Sequence, residues 1–265
     1  MKERWQGFYA LRIYLPLSSL SRRWRRFCRR IRNRPDRFLQ ATRLPEVCWT
    51  HCVETSMPRV CEHKKENGNV RVSELAILSA LAARCRAGSN LFEIGTFDGR
   101  TTLNLALNAP ANCRIYTLDL PPAQATRYPL ADGERHMVEK SRPGARYEKY
   151  RGKHPAAISR IHQLLGDSAN FDYSPYRGSC SLVFVDGSHA YDYALSDTRA
   201  AMTLVEAAGI IVWHDYGIWE GVTKALEELA HRERLGLHNI RGTSLVIWRQ
   251  NCRPANAGLC SSHAP

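Results

Sequence analysis

Residues 91–102 read LFEIGTFDGRTT. Leu91-Phe92-Glu93-Ile94 has the composition of a strand, Gly95 and Gly99 turn the chain, and residues 100–107 continue as a helix. Glycines between a strand and a helix allow the tight turn and the close backbone approach that a ligand at a helix N-terminus needs. Working outward, 113–120 (CRIYTLDL) is a second strand, and strand-like segments recur at 161–166, 181–186 and 208–213. Helices fit at 72–87, 189–206 and 219–232, and two last strands fit at 236–241 and 243–249. In the 72–87 helix the apolar residues are Leu75, Ala76, Leu78, Leu81 and Ala82. Strands that are apolar throughout, such as Leu182-Val183-Phe184-Val185 and Ile210-Ile211-Val212-Trp213, belong to a mostly parallel sheet with helices on both faces.

Such sheets bind ligands at the carboxyl ends of their strands. The spacing after the first strand is G-x-x-x-G, without the middle glycine that admits a pyrophosphate, so a ligand lacking a diphosphate fits better. Asp119 ends the second strand, where a carboxylate can accept from both hydroxyls of a ribose. Gly166-Asp167-Ser168 follows the next strand; Asp167 can accept from an exocyclic amine of a base or cap a helix. Asp186-Gly187-Ser188-His189 and His214-Asp215-Tyr216 follow the last two parallel strands. Two carboxylates and two imidazoles at neighbouring strand ends point to a metal site or an acid/base pair. Residues 121–157 hold several prolines and glycines and show no periodicity. A connection of this length reads as a lid or an insertion for the acceptor.

Together, EIGTFDGRTT (93–102), YTLDL (116–120), LLGDSANFD (164–172), LVFVDGSHAYDYALSDT (182–198), IIVWHDYGIWEGV (210–222) and GTSLVIW (242–248) resemble the class I S-adenosylmethionine-dependent methyltransferases, in particular methyltransferase family 24. The resemblance covers about 70–250. It implies an α/β, Rossmann-like fold with a seven-stranded, mostly parallel sheet ending in an antiparallel hairpin. It implies S-adenosylmethionine across the glycine loop, in contact with Glu93, Gly95, Thr96, Gly99, Thr101, Asp119, Leu120, Asp167, Ser168 and Asp186. In metal-dependent relatives acting on small-molecule hydroxyls, the positions of Asp186, His214 and Asp215 hold Mg²⁺. Here His214 replaces a carboxylate, and Mg²⁺ prefers oxygen, so a softer ion or a metal-free histidine base is also open. His189, His214 and Asp215 are the candidate bases, and the expected reaction is O-methylation of a small molecule or glycan. A nicotinamide-dependent oxidoreductase is the enzymatic alternative. A membrane- or nucleic-acid-binding module that retains a ligand site without turnover is another, and an RNA methyltransferase lies between them.

The 265 residues are 44% hydrophobic and 24% charged, which excludes global disorder, collagen and coiled coil. No uncharged apolar run approaches the ~20 residues needed to span a bilayer. The net charge of +13 is uneven: residues 1–43 hold 13 Lys and Arg against Glu3 and Asp36, leaving 25 against 23 in the rest. The expected layout is a basic amphipathic arm (1–43), the catalytic domain (44–250) and a flexible tail (251–265). Within the arm, Leu17, Leu20, Trp24, Phe27 and Ile31 form one helical stripe beside seven arginines, suited to peripheral contact with an anionic membrane over 17–32. The Arg pair at 22–23 lacks the apolar stretch of an export signal, whereas an Arg-rich organellar leader shares this composition. The nine cysteines, an odd number, suit reduced thiols in the cytoplasm. Cys48, His51, Cys52, Cys61 and His63 form a candidate zinc cluster whose spacing matches no standard pattern. Nucleic acid is disfavoured as a partner by the near-neutral body, and a homo-oligomer is open.

Overall fold

The computed structural model describes residues 2–17, 20, 43–53, 57–62, 68–140 and 142–249. Its centre is one sheet built from β1 (Glu46–Val47), β2 (Asn90–Ile94), β3 (Arg114–Asp119), β4 (Ile161–Leu165), β5 (Cys180–Val185), β6 (Val205–Trp213), β7 (His238–Ile240) and β8 (Val246–Arg249), in the order β1-β7-β8-β6-β5-β2-β3-β4. All neighbours run parallel except β8, which is antiparallel to β6 and β7. The expected antiparallel ending is therefore present. The sheet has eight strands rather than the expected seven. The extra one, β1, lies in a stretch that reads as irregular. Two residues show no periodicity, and the strand exists only by pairing: Asn239 N–H donates to the Pro45 carbonyl and Arg241 N–H to that of Val47, both at 2.9 Å.

The apolar strands are explained by two cores. Leu91, Leu182, Phe184 and Val212 face one side of the sheet, and Phe92, Val183, Val185, Ile211 and Trp213 face the other. Alternate residues feed opposite cores, which is why these stretches are apolar throughout. The first core is covered by α3 (Val72–Ala82) and α4 (Arg100–Asn108), the second by α8 (Tyr191–Leu204) and α9 (Glu220–Arg232). The single turn α2 (Trp49–Cys52) precedes α3.

From Ser73 to Ala82, every residue of α3 is buried. Its outer side is roofed by α1 (Lys2–Phe8) and the π-helix Tyr9–Tyr14 that continues it, with Ala10, Leu11 and Leu15 in the same core. The basic arm expected from sequence is thus docked on the domain over 2–17. The rest of its stripe (Trp24, Phe27, Ile31), the arginines beside it and the tail 251–265 lie outside the described residues. No helix among the described residues is long and apolar enough to cross a membrane.

Candidate active site

Backbone bonds carry the parallel ladders one step past the strands. Gly95 N–H donates to the Leu118 carbonyl (2.8 Å), Asp186 N–H to Ile94 (2.8 Å), Gly166 N–H to Asp119 (2.9 Å) and His214 N–H to Val185 (3.1 Å). Four loops therefore leave the sheet from one edge. Between β2 and β5 the chain order reverses, which opens a crevice there. The cleft there is open to solvent.

One wall is the glycine loop. Gly95 has φ +99°, and a Cβ on it would lie 2.0 Å from the Asp186 carbonyl oxygen. Phe97, also left-handed at φ +49°, turns its N–H onto Asp119 Oδ2 at 2.5 Å. Leu120 N–H donates to Asp119 Oδ1 at 2.8 Å. Each carboxylate oxygen thus accepts one backbone bond and keeps capacity for another, as a pair of ribose hydroxyls would use. Burial pushes the Asp119 pKa up to about 6.

The cleft is lined by Gly95, Asp119, Leu120, Asp167, Ser168 and Asp186 from the expected cofactor set. Glu93, Thr96, Gly99 and Thr101 do not line it. Buried Glu93 lies beneath the loop and accepts from Thr117 Oγ1 (2.6 Å) and from Thr102, and burial raises its pKa to about 8. Thr96 shares a 2.7 Å hydrogen bond with Thr117, and Gly99 packs against Gly144 and Tyr147. Asp167 is largely spent on the protein itself. It accepts from Arg127 N–H (2.7 Å), Ala169 N–H (3.1 Å) and Tyr193 Oη (2.8 Å), and so pins the start of the 121–157 segment.

That segment folds into three short helices, α5 (Arg135–Lys140), α6 (Ala145–Glu148) and α7 (Pro155–Ile158). Leu130, Glu134, Met137 and Val138 give the cleft its apolar side and one acid. Nothing in the sequence singles out Glu134, because the segment has no periodicity and the residue's partner lies 55 positions away. Glu134 accepts from Ala131 N–H and from Ser188 Oγ (both 2.8 Å), and from the backbone N–H and ring Nδ1 of His189.

His189 Nε2 meets Asp215 Oδ2 at 2.6 Å, and the ring stacks on Trp219 with centroids 4.3 Å apart. Burial disfavours charge on His189, but the hydrogen bonds and charges of Asp215 and Glu134 outweigh it and raise the pKa to about 9. His214 lies deeper. Its Nδ1 meets Asp186 Oδ1 (2.9 Å) and Asp215 Oδ1 (3.3 Å), and its Nε2 meets Glu74 Oε2 (3.3 Å). Burial opposes its charge too, yet Asp186 and Asp215 hold the pKa well above the ordinary value. Asp215 itself is driven down: burial would raise it, but the His214 charge and the His189 hydrogen bond prevail. Burial raises Asp186. Asp215 adopts φ +64°, unusual for a residue with a Cβ, and is held there by this network.

Three of these side chains converge: donor atoms of Asp186, His189 and Asp215 all lie within 4.8 Å of one another. The set expected from sequence had His214 in place of His189; His214 Nδ1 also meets Asp186 and Asp215, and each of the two imidazoles has both ring nitrogens engaged with carboxylates. Of the candidate zinc cluster, Cys48, His51, Cys52 and Cys61 form no converging group among the described residues. Cys61 lies instead with Glu3 and His154, and His63 is outside the described residues.

A family model described as "Methyltransferase domain" matches residues 92–216. No curated protein sequence matches the chain. Among solved structures, the O-methyltransferase NovP is similar at 12% identity, covering 68% of this chain and 80% of its own, with a TM-score of 0.51. The O-methyltransferase TomG from Streptomyces achromogenes, solved in complex with SAM, is 17% identical over 70% of this chain and 91% of its own, with a TM-score of 0.47. A Corynebacterium glutamicum protein is 16% identical over 68% and 82%, with a TM-score of 0.49. At these identities the likeness is one of fold.

Proposed function

We propose that this chain, whose residues 92–216 match a family model described as "Methyltransferase domain", is a class I methyltransferase that moves the methyl group of S-adenosylmethionine onto a hydroxyl of a small molecule or glycan. The carrying observation is that one cleft joins the glycine loop and Asp119 to Asp186 and His189, whose donor atoms converge with those of Asp215 behind them. The donor residues fit: a glycine turn at Gly95 that lines the cleft and packs directly on the Asp186 backbone, a buried carboxylate with spare acceptor capacity, and apolar cover from Leu130, Met137 and Val138. S-adenosylmethionine supplies a sulfonium methyl that an incoming oxygen displaces in line, forming C–O as C–S breaks.

The chain's part is alignment and removal of the hydroxyl proton. His189 is the imidazole that lines the cleft, and it can take that proton only when neutral and freed at one nitrogen. Glu134, on the 121–157 segment, occupies Nδ1, so displacement of that segment by the acceptor would release the base. Asp186, His189 and Asp215 also fit a divalent ion. Two carboxylates and an imidazole suit Mn²⁺ or Zn²⁺ better than Mg²⁺. An ion held there would draw charge from the acceptor oxygen.

Calorimetry tests the donor: S-adenosylmethionine or its demethylated product should bind, and NADH should not. NADH binding without a response to S-adenosylmethionine would refute the reading. Turnover with an acceptor, before and after EDTA, separates the two proton pathways. Loss restored by Mn²⁺ or Zn²⁺ assigns a metal, and unchanged turnover assigns the histidine.

A further inference from the structure

The helix formed by residues 2–17 has two apolar faces, and the domain uses one of them. On the inner face, Ala10, Leu11 and Leu15 enter the core. The attachment is tight. A Cβ at Gly7 would lie 2.0 Å from the Pro58 carbonyl oxygen, and Val60 N–H donates to the Glu3 carbonyl at 3.0 Å. The Glu3 carboxylate pairs with Arg59 at 2.8 Å.

On the outer face, Trp5 (63% exposed), Tyr9 (46%), Ile13 (37%) and Leu17 (61%) follow one another at four-residue steps, and Leu20 (62%) comes next. These five are among the eight large hydrophobic residues exposed in the described chain. Lys2, Arg4 and Arg12 are exposed on the same helix.

We propose that this face is a docking surface for an anionic lipid bilayer. The proposal goes beyond the methyl-transfer reading and does not depend on it. Charge selects the occupant. Residues 1–43 carry 13 Lys and Arg against two acids, and one of those acids, Glu3, is turned inward onto Arg59. A second copy of the chain would bring the same positive segment against this one, whereas a bilayer containing phosphatidylserine brings the opposite charge. Nucleic acid would satisfy the arginines but leave Ile13, Leu17 and Leu20 without an apolar partner. A bilayer interface takes both kinds of group. Trp and Tyr sit at headgroup level, aliphatic side chains sit below them, and basic residues stay over the anionic surface. Because the inner face is fastened to the domain, the surface is already formed before any membrane is met.

Full-length protein is sedimented with vesicles of phosphatidylcholine alone and of phosphatidylcholine with phosphatidylserine. Wild type should partition to the second and not the first, more weakly as salt rises. The triple variant Trp5→Ser, Ile13→Ser, Leu17→Ser should lose partitioning on the order of tenfold or more, because three of the five exposed apolar side chains of this face are gone. Its melting temperature and its calorimetric response to S-adenosylmethionine should stay those of wild type, since none of the three contributes to either core. A second variant, Lys2→Glu with Arg4→Glu, should weaken binding to phosphatidylserine vesicles while leaving the apolar face intact. Wild type that ignores anionic vesicles at low salt would overturn the proposal. So would a triple variant that binds as well as wild type, a dimer that the triple variant converts to monomer without any vesicle binding, or binding confined to nucleic acid.

Discussion

Asp119 and His189 are held by different forces, and their substitution should read differently. Asp119 accepts two backbone bonds and faces the cleft, with a pKa raised to about 6 by burial. Asp119→Ala removes the carboxylate proposed to accept the ribose hydroxyls, and S-adenosylmethionine affinity measured by calorimetry should fall by about 1.5–3 kcal/mol, the value of hydrogen bonds to a charged group. His189 sits between two carboxylates with its pKa raised to about 9. A base must be neutral to take a proton, so in a metal-free reaction kcat/KM should climb with pH and level off above about 9. Glu134→Gln deletes one of the charges that retain the proton and should move that midpoint to lower pH. A pH profile flat from neutral to alkaline conditions would exclude His189 as the base. Stability carries the opposite trend. The raised pKa means that pairing of protonated His189 contributes fully below the ordinary histidine pKa and is lost as pH rises through about 9.

At the scale of elements, the strand-to-helix turn after β2 shows how one residue type is imposed by geometry. Gly95 is left-handed and abuts the backbone of the neighbouring strand's loop. Gly95→Ala combines a left-handed conformation, costing about 1–2 kcal/mol, with a clash that only backbone movement relieves. Urea denaturation should therefore show a loss of at least about 2 kcal/mol, and cofactor affinity should fall with it, because Asp186 must shift. Undiminished stability would mean that the turn is not under this constraint. The 121–157 segment teaches the reverse. Its three short helices have too few turns to print a period on the sequence, yet they supply Leu130, Glu134, Met137 and Val138 to the cleft.

Across the whole molecule, the N-terminal helix is part of the fold. A chain beginning at residue 18 would lose Ala10, Leu11 and Leu15 and uncover α3, which is buried from Ser73 to Ala82. Denaturant titration should show it to be less stable by about 3 kcal/mol or more, the burial value of two leucines alone. The parallel sheet, its antiparallel ending and the five strand ends where chemistry gathers were all legible in the sequence. Apolar strands, periodic helices and glycine turns are local patterns, and the carboxyl-end rule converts chain order into place. Asp119, Asp186 and His189 could be found by that route. Glu134 against His189, Glu74 against His214 and β1 beside β7 could not, since each is a pairing between distant residues with no local signature. The same holds for α3. Its sequence shows a helix with an apolar stripe, and only the packing of residues 2–17 over its outer side decides that it is buried all round. Local periodicity records which face of an element avoids water, whereas the neighbour that covers a second face is chosen by tertiary packing.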